Sequence, residues 1–252
     1  MITEVRAFSL KAAIVMAYAI SLSGAAAAQT APAPAPAGPA KLPASTLAKT
    51  GEPANEKDLA LIAAAEKGSL DGVAKAMREG GSIHARDTRG RNAVLAATYG
   101  NHVPVALLLM AAGSDVNEKD DQQNSSFLLA GAEGFTDIVK LALRSGADLK
   151  STNRFGGTAL IPAAHHGHVE TVRELLKSGV PIDHVNNLGW TALLEAIVLG
   201  DGGARHTEIV RMLVAAKADV NIADKEGVTP LAHAKKRGFG EMVKILEAAG
   251  AK

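Results

Sequence analysis

Histidine is the residue whose spacing most invites chemistry in this 252-residue chain. His165, His166 and His168 stand together, His206 follows, and Glu195 lies between, a donor set from which a zinc site or a general acid and base would be assembled. The spacing argues against both. Neighbours on one helix project about 100° apart, so His165 and His166 do not converge on one ion. A catalytic zinc would need in addition a carboxylate of suitable geometry and an open coordination position. No second acid stands at a fixed spacing from Glu195, which reads as a solvated or hydrogen-bonded carboxylate rather than a general base. The glycine-rich stretch Asp201-Gly202-Gly203-Ala204-Arg205 lacks the Lys-Ser/Thr ending of a phosphate loop and follows a helical pattern rather than a strand. It reads as a surface loop, with a secondary contact site as the alternative. Cysteine is absent, which removes disulfides, thiolate metal sites and cysteine nucleophiles. The expectation is no catalytic residue, no metal ligand and no cofactor.

The elements that hold these residues follow from composition and punctuation. Apolar residues make up 47% and aromatics only 3%, so the core must be built from Ala, Leu, Val and Ile, as in closely packed helices. Lys and Arg number 27 against 26 Asp and Glu, which offers no basic surface for a phosphate backbone and makes nucleic acid an unexpected partner. Residues 1–28 read as a signal peptide: Arg6 and Lys11, an apolar run from Ala12 to Leu22, then Ala26-Ala27-Ala28. The run is shorter than the roughly 20 residues that span a bilayer, so cleavage, export to the periplasm and no membrane insertion afterwards are expected, a retained anchor being the alternative. Residues 29–54 hold 6 of the 10 prolines and read as an Ala/Pro-rich linker with an extended path.

From residue 55 the chain repeats itself. DTRGRNAVLAATYGNHVPVALLLMAAGSDVNEK begins at Asp87, DQQNSSFLLAGAEGFTDIVKLALRSGADLKST at Asp121 and RFGGTALIPAAHHGHVETVRELLKSGVPIDHVN at Arg154. A longer copy starts at Asn187, and incomplete ones open and close the array. A period of 33 with a turn and two short helices resembles the ankyrin repeat, whose signature is T-P-L-H-x-A. That segment reads Thr158-Ala159-Leu160-Ile161, Thr191-Ala192-Leu193-Leu194 and Thr229-Pro230-Leu231-Ala232 here. The resemblance, which extends to bacterial exported ankyrin-repeat proteins, implies an all-α solenoid of helix-turn-helix units joined by β-hairpin-like loops. Six units are expected, at 55–87, 88–120, 121–153, 154–186, 187–224 and 225–252.

Local mechanics support the register. Thr158, Thr191 and Thr229 stand where a hydroxyl caps a first helix, with Pro230 at its first position. Gly100, Gly134, Gly167 and Gly200 stand where it must turn, and Gly113, Gly146 and Gly179 where the second helix ends, all places that favour positive φ. Ala218 follows Lys217 where glycine is expected, so that helix should end less sharply. Val172, Leu175 and Leu176 recur at helical spacing and face the next unit. The signature histidine, which in the family bonds across units, is replaced by Leu95, Leu128, Ile161, Leu194 and Ala232, leaving apolar contact in its place. His168 and His206 take the family's ordinary turn position. Lys235, Lys236, Arg237 and Lys244 give the last unit a polar face, and Glu56, Lys57 and Asp58 serve the first.

The aromatics carry the functional signal. Phe127, Phe135 and Phe239 read as packing. Phe155 and Trp190 sit on hairpin tips, and Tyr99 ends a first helix on the groove side. The resemblance implies partner binding by tips and first-helix groove, so Phe155, Leu188 and Trp190, with Tyr99 beside them and Arg89, Arg91, Gln122, Arg154 and Glu226 around them, form the expected protein-binding surface. Aromatics with arginine dominate interface energies. The expectation is a monomeric, non-enzymatic periplasmic scaffold for an unidentified protein, the alternatives being a histidine-dependent metal or enzyme role through His165, His166 and Glu195, or envelope tethering.

Overall fold

A computed structural model of the protein describes residues 54–252. The signal-peptide reading and all but the last residue of the linker lie outside them. Among the described residues there are twelve helices and no strand. They pair in chain order: α1 (Glu56–Glu66) with α2 (Leu70–Arg78), α3 (Ala93–Tyr99) with α4 (Val103–Ala111), and α5 (Ser126–Glu133) with α6 (Thr136–Arg144). Next come α7 (Leu160–His165) with α8 (Val169–Ser178), α9 (Ala192–Val198) with α10 (Ala204–Ala215), and α11 (Pro230–Lys236) with α12 (Gly240–Ala248). Each first helix packs on the first helix of the following pair, and each second helix on the following second helix. One continuous apolar core runs through the array, and the expected core residues Phe127, Val172 and Leu175 are fully buried in it. No unit could bury these faces alone.

The first helices begin on side-chain caps. Asn55, Asn92, Ser125, Thr191 and Thr229 each accept a backbone N–H from the first turn. Thr158 does not. Its buried hydroxyl has no partner, because Pro162 stands at the fourth place after it and brings no N–H to the Thr158 carbonyl. That carbonyl takes the Ile161 N–H instead, so α7 starts late at Leu160.

The turns between paired helices also differ in part from expectation. Gly134 (φ 73°) and Gly167 (φ 74°) are left-handed, but Gly100 and Gly200 are not; Asn101 (φ 52°) and Gly202 (φ 72°) take that role beside them. The next residue, His102, Phe135, His168 or Phe239, has φ near −80° and ψ near 70°. That is an inverse γ-turn, closed by the bond from the following N–H two residues back, as from Val103 to Asn101 and from Val169 to Gly167. Gly113, Gly146 and Gly179 end their helices in the left-handed region as expected. The helix before Lys217 ends as sharply as the rest: Lys217 itself takes φ 71°, and the Ala218 N–H bonds Leu213 O at 3.0 Å. At the array's start Asp58 is not a polar outer residue. It is buried, closing a capping box with Asn55 and accepting the Ser82 N–H at 2.7 Å.

Cross-unit hydrogen bonds are not lost with the signature histidine. Leu95, Leu128, Ile161 and Leu194 are buried as apolar replacements, while Ala232 in the last unit is exposed. The turn histidines reach back instead. His102 Nε2 donates to Glu66 O at 3.0 Å, His168 Nε2 to Ala132 O at 3.1 Å, and His206 Nε2 to His165 O at 2.8 Å. His166 Nδ1 reaches the same Ala132 carbonyl at 2.7 Å. Carbonyls at a helix C-terminus need such donors.

Candidate interaction surface

The hairpin tips are held by one device repeated five times. In Asp87, Asp120, Asn153, Asn186 and Asp224, Oδ1 accepts the N–H groups two and four residues on, as from Phe155 (2.9 Å) and Gly157 (3.0 Å) to Asn153. Such side chains mimic a backbone turn. The second Asx atom then binds a different side chain in different units: Asp120 Oδ2 accepts the Tyr99 hydroxyl at 2.6 Å, Asn186 Nδ2 donates to Glu195 Oε1 at 2.7 Å, and Asp224 Oδ2 accepts from His233 Nε2 at 2.6 Å.

On this frame the tip aromatics and their neighbours divide. Phe155 and Leu188 are 52% and 50% exposed on consecutive tips, and the Asn187 N–H to Phe155 O bond of 2.9 Å joins those tips directly. Arg154 lies over the Phe155 ring, 4.9 Å from its centre, and donates to Gln122 Oε1. Glu226 is exposed on the last tip. Trp190 is half-buried, so only part of its ring meets solvent. Tyr99 is 40% exposed, but its hydroxyl is bonded to Asp120 and Asn124, and burial, then the bond to Asp120, raises its pKa.

Arg91 is a correction. It is 3% exposed and faces inward, with Nε and Nη2 on Asp87 Oδ2 (2.9 and 2.7 Å) and Nη1 on Glu66 Oε1 (3.0 Å). A guanidinium so paired is a strut between units. Arg89 stays at the surface with one Nη on the same Glu66 oxygen at 2.9 Å. The sequence reading missed Val185, 44% exposed. The period reveals it: Arg86, Lys119 and Thr152 hold its place in earlier units, so an apolar residue there faces solvent.

His165 and Glu195 do come together, from α7 and α9. His165 Nδ1 lies 3.5 Å from Glu195 Oε2, too long for a hydrogen bond and close enough for a pair once the ring is charged. Burial raises the Glu195 pKa against the opposing Asn186 bond. Burial, then the charge of His166, lowers that of His165; burial and His166 do the same to His168. The rings of His165 and His166 are 4.5 Å apart, yet His166 and His168 point at Ala132 O and His206 at His165 O. Among the described residues no three His, Asp or Glu side chains are grouped as metal ligands. His206 also has Asp201 Oδ1 2.7 Å from Nδ1, which folds the glycine stretch onto α10; Ala204 and Arg205 are the first residues of that helix rather than loop.

Comparison with known proteins agrees with this geometry. Family models for ankyrin repeats match residues 127–224 (three copies) and 203–247 (many copies). A crystallised ankyrin repeat domain from Acinetobacter baumannii AYE is 52% identical with a TM-score of 0.74, the match covering 76% of this chain and 98% of that one. Another crystallised ankyrin repeat protein is 35% identical with a TM-score of 0.73, covering 75% of this chain and 97% of that one. The ankyrin repeat protein YahD of Escherichia coli (strain K12) is 49% identical over 57 residues, 23% of this chain, and the match spans only 28% of YahD's length. The chain belongs to the ankyrin-repeat family.

Proposed function

We propose that this chain is a non-enzymatic scaffold, exported to the periplasm, that holds a protein partner as a monomer through its hairpin tips and first-helix groove. Ankyrin repeats are a general protein-interaction fold, and no described helix is long and apolar enough to cross a membrane. The observation that carries the reading is the apolar pair Phe155 and Leu188, half-exposed on two tips fixed to each other by a backbone bond. Rigid exposed apolar residues beside arginine are what interface cores are made of. Arg154, Gln122 and Glu226 form its rim, Trp190 its partly buried floor, and Arg89 an outlying charge; Arg91 serves the frame.

The test is affinity capture from periplasmic extract with the native chain, Phe155→Ala and Trp190→Ala. Loss of either side chain should weaken capture of a specific partner by about thirtyfold, roughly 2 kcal/mol, with the helical spectrum retained. The paired variant His165→Ala with His166→Ala should bind normally. Normal capture by the aromatic variants, with loss in the histidine pair or on adding chelator, would replace the scaffold by a histidine-dependent reading. Mass spectrometry of the chain from its native host tests export: an N-terminus at Gln29 is expected, and a retained Met1 in the cytosol overturns it.

A further inference from the structure

Among the described residues three acids are buried, Asp58, Asp120 and Glu195, and two of them have both oxygens bonded. Asp58 accepts the Asn55 and Ser82 N–H groups on separate oxygens. Asp120 accepts the Gln122 and Asn124 N–H groups on Oδ1 and the Tyr99 hydroxyl on Oδ2. Glu195 differs. Its Oε1 accepts from Asn186 Nδ2 at 2.7 Å, while Oε2 has no hydrogen-bond donor in the chain. That oxygen is not sealed either: among the described residues the sealed polar atoms without a partner are the hydroxyls of Ser114, Ser126 and Thr158, so Oε2 meets solvent, beside the partly exposed ring of His165. No described lysine or arginine pairs with Glu195, and the one ionisable side chain in reach, His165, is held toward its neutral form by burial. Arg91, turned inward in the same array, is by contrast matched by two carboxylates.

The fold does not ask for this charge. The period puts Ala96, Leu129 and Pro162 at the same place in earlier first helices, and His233 in the last. Holding Asn186 needs one acceptor, which a neutral amide supplies as well. A buried carboxylate without a cation costs stability that one amide bond does not return. Its position is nonetheless tied to the apolar tip. Asn186 Oδ1 accepts the Leu188 and Trp190 N–H groups, each at 3.0 Å, while Nδ2 of the same side chain holds Glu195. Tip and carboxylate therefore keep a fixed relation to each other.

We propose that Glu195 is the electrostatic anchor of the interaction surface, its Oε2 receiving the guanidinium of an arginine on the bound protein. This rests on the partner-binding reading above and adds the chemistry of one contact. A guanidinium is more weakly hydrated than an ammonium and presents its N–H groups in a rigid fork, which suits it to a half-closed carboxylate. Its arrival turns an uncompensated charge into a charge-assisted pair. The same group then selects among partners: one that covers the site with an apolar or acidic residue leaves Glu195 desolvated and unpaired, and is disfavoured.

Nuclear magnetic resonance on the isotope-labelled full chain tests this at about pH 7.5, where His165 is neutral. The probes are N-acetyl-arginine amide and N-acetyl-citrulline amide, which share a shape while only the first carries the charge. The arginine probe should shift the Asn186 side-chain amide and the Leu188 and Trp190 N–H signals saturably, with a dissociation constant of roughly millimolar order, and the citrulline probe should bind at least about tenfold more weakly. Glu195→Gln keeps the size of the side chain and should lose the arginine response with its helical spectrum unchanged. Phe155→Ala should respond as the native chain does, so failure of the tip interface and failure of the anchor give different results. Equal responses to the two probes, a response retained in Glu195→Gln, or no response in the native chain overturns the anchor, and leaves Phe155 and Leu188 to be judged by capture alone.

Discussion

Lys217→Gly should stabilise the protein, although it deletes a whole side chain and touches no core residue. In five other units the same place holds Gly80, Gly113, Gly146, Gly179 and Gly250, with φ between 83° and 94°, whereas Lys217 holds φ 71° with a Cβ. An L-residue in the left-handed region costs about 1 to 2 kcal/mol. Glycine returns part of that through the greater freedom of the unfolded chain, about 0.4 to 1 kcal/mol. The net gain expected is about 0.5 to 1 kcal/mol, which for an array of this size raises the melting midpoint by roughly 1 to 4 °C. Gln123 (φ 61°) is a second case, alone among tips where Gly90, Gly156, Gly189 and Gly227 hold the left-handed place, and Gln123→Gly should gain a similar amount. The two sites lie in different units and should add. The assay is urea denaturation followed by circular dichroism, reading midpoint and slope together, with Lys217→Ala as the control that keeps the Cβ and therefore the strain. If Lys217→Gly leaves the midpoint unchanged or lowers it while the slope is constant, the strain argument is wrong.

Three further outcomes are expected. Leu175→Ala, at a fully buried site between units, should cost about 2 to 5 kcal/mol by denaturant titration, and a loss below about 0.5 kcal/mol would contradict the core packing. His165 and His168 have folded pKa values below the ordinary 6.5, so the unfolded chain binds more protons there; their contribution is complete above that value and is lost as pH falls through the lowered folded values, and replacing both with Gln should flatten the acid side of a stability–pH curve. Glu195 has the opposite sign, its raised pKa making the buried charge a cost that appears as pH climbs above about 4.5, so Glu195→Gln should be more stable than the native chain at pH 7 and lose that advantage at pH 4, as thermal melts would show.

Much of the array was legible because its signals are local. Thr191 and Thr229 cap from three residues away, and Gly113, Gly146 and Gly179 end helices by their own φ. What failed depended on partners the local pattern does not name. Thr158 has the type and place of a cap, and Pro162 four residues later diverts the backbone bond that would have set it up. Arg91 has the place of a surface arginine, and Glu66, 25 residues before it, draws it inward together with Asp87. An Asp or Asn recurs at every tip in the sequence, but its second atom chooses its partner unit by unit, from Tyr99, Glu195 or His233.

The same inequality between units decides where binding energy can come from. On the N-terminal side, long basic side chains brace consecutive hairpins: Arg86 reaches Lys119 O, and Lys119 Nζ reaches Thr152 O at 2.7 Å. The register then passes to Thr152 and Val185, neither of which carries a cation to continue the series, and the next tips are joined by the Asn187 N–H to Phe155 O bond and by His184 Nε2 to Gly156 O at 2.7 Å. That seam is where Phe155, Val185 and Leu188 meet solvent. Arg89 and Arg91 face two carboxylates, Glu66 and Asp87, so their charges are largely balanced within the chain before any partner arrives. An exposed pair such as Arg89 with Glu66 contributes only about 0 to 1 kcal/mol even to folding. A partner therefore gains little by competing for Arg89, and Arg89→Ala should change affinity far less than Phe155→Ala. Comparable losses from the two substitutions in a binding titration would move the centre of the interface to the braced, N-terminal half of the tips.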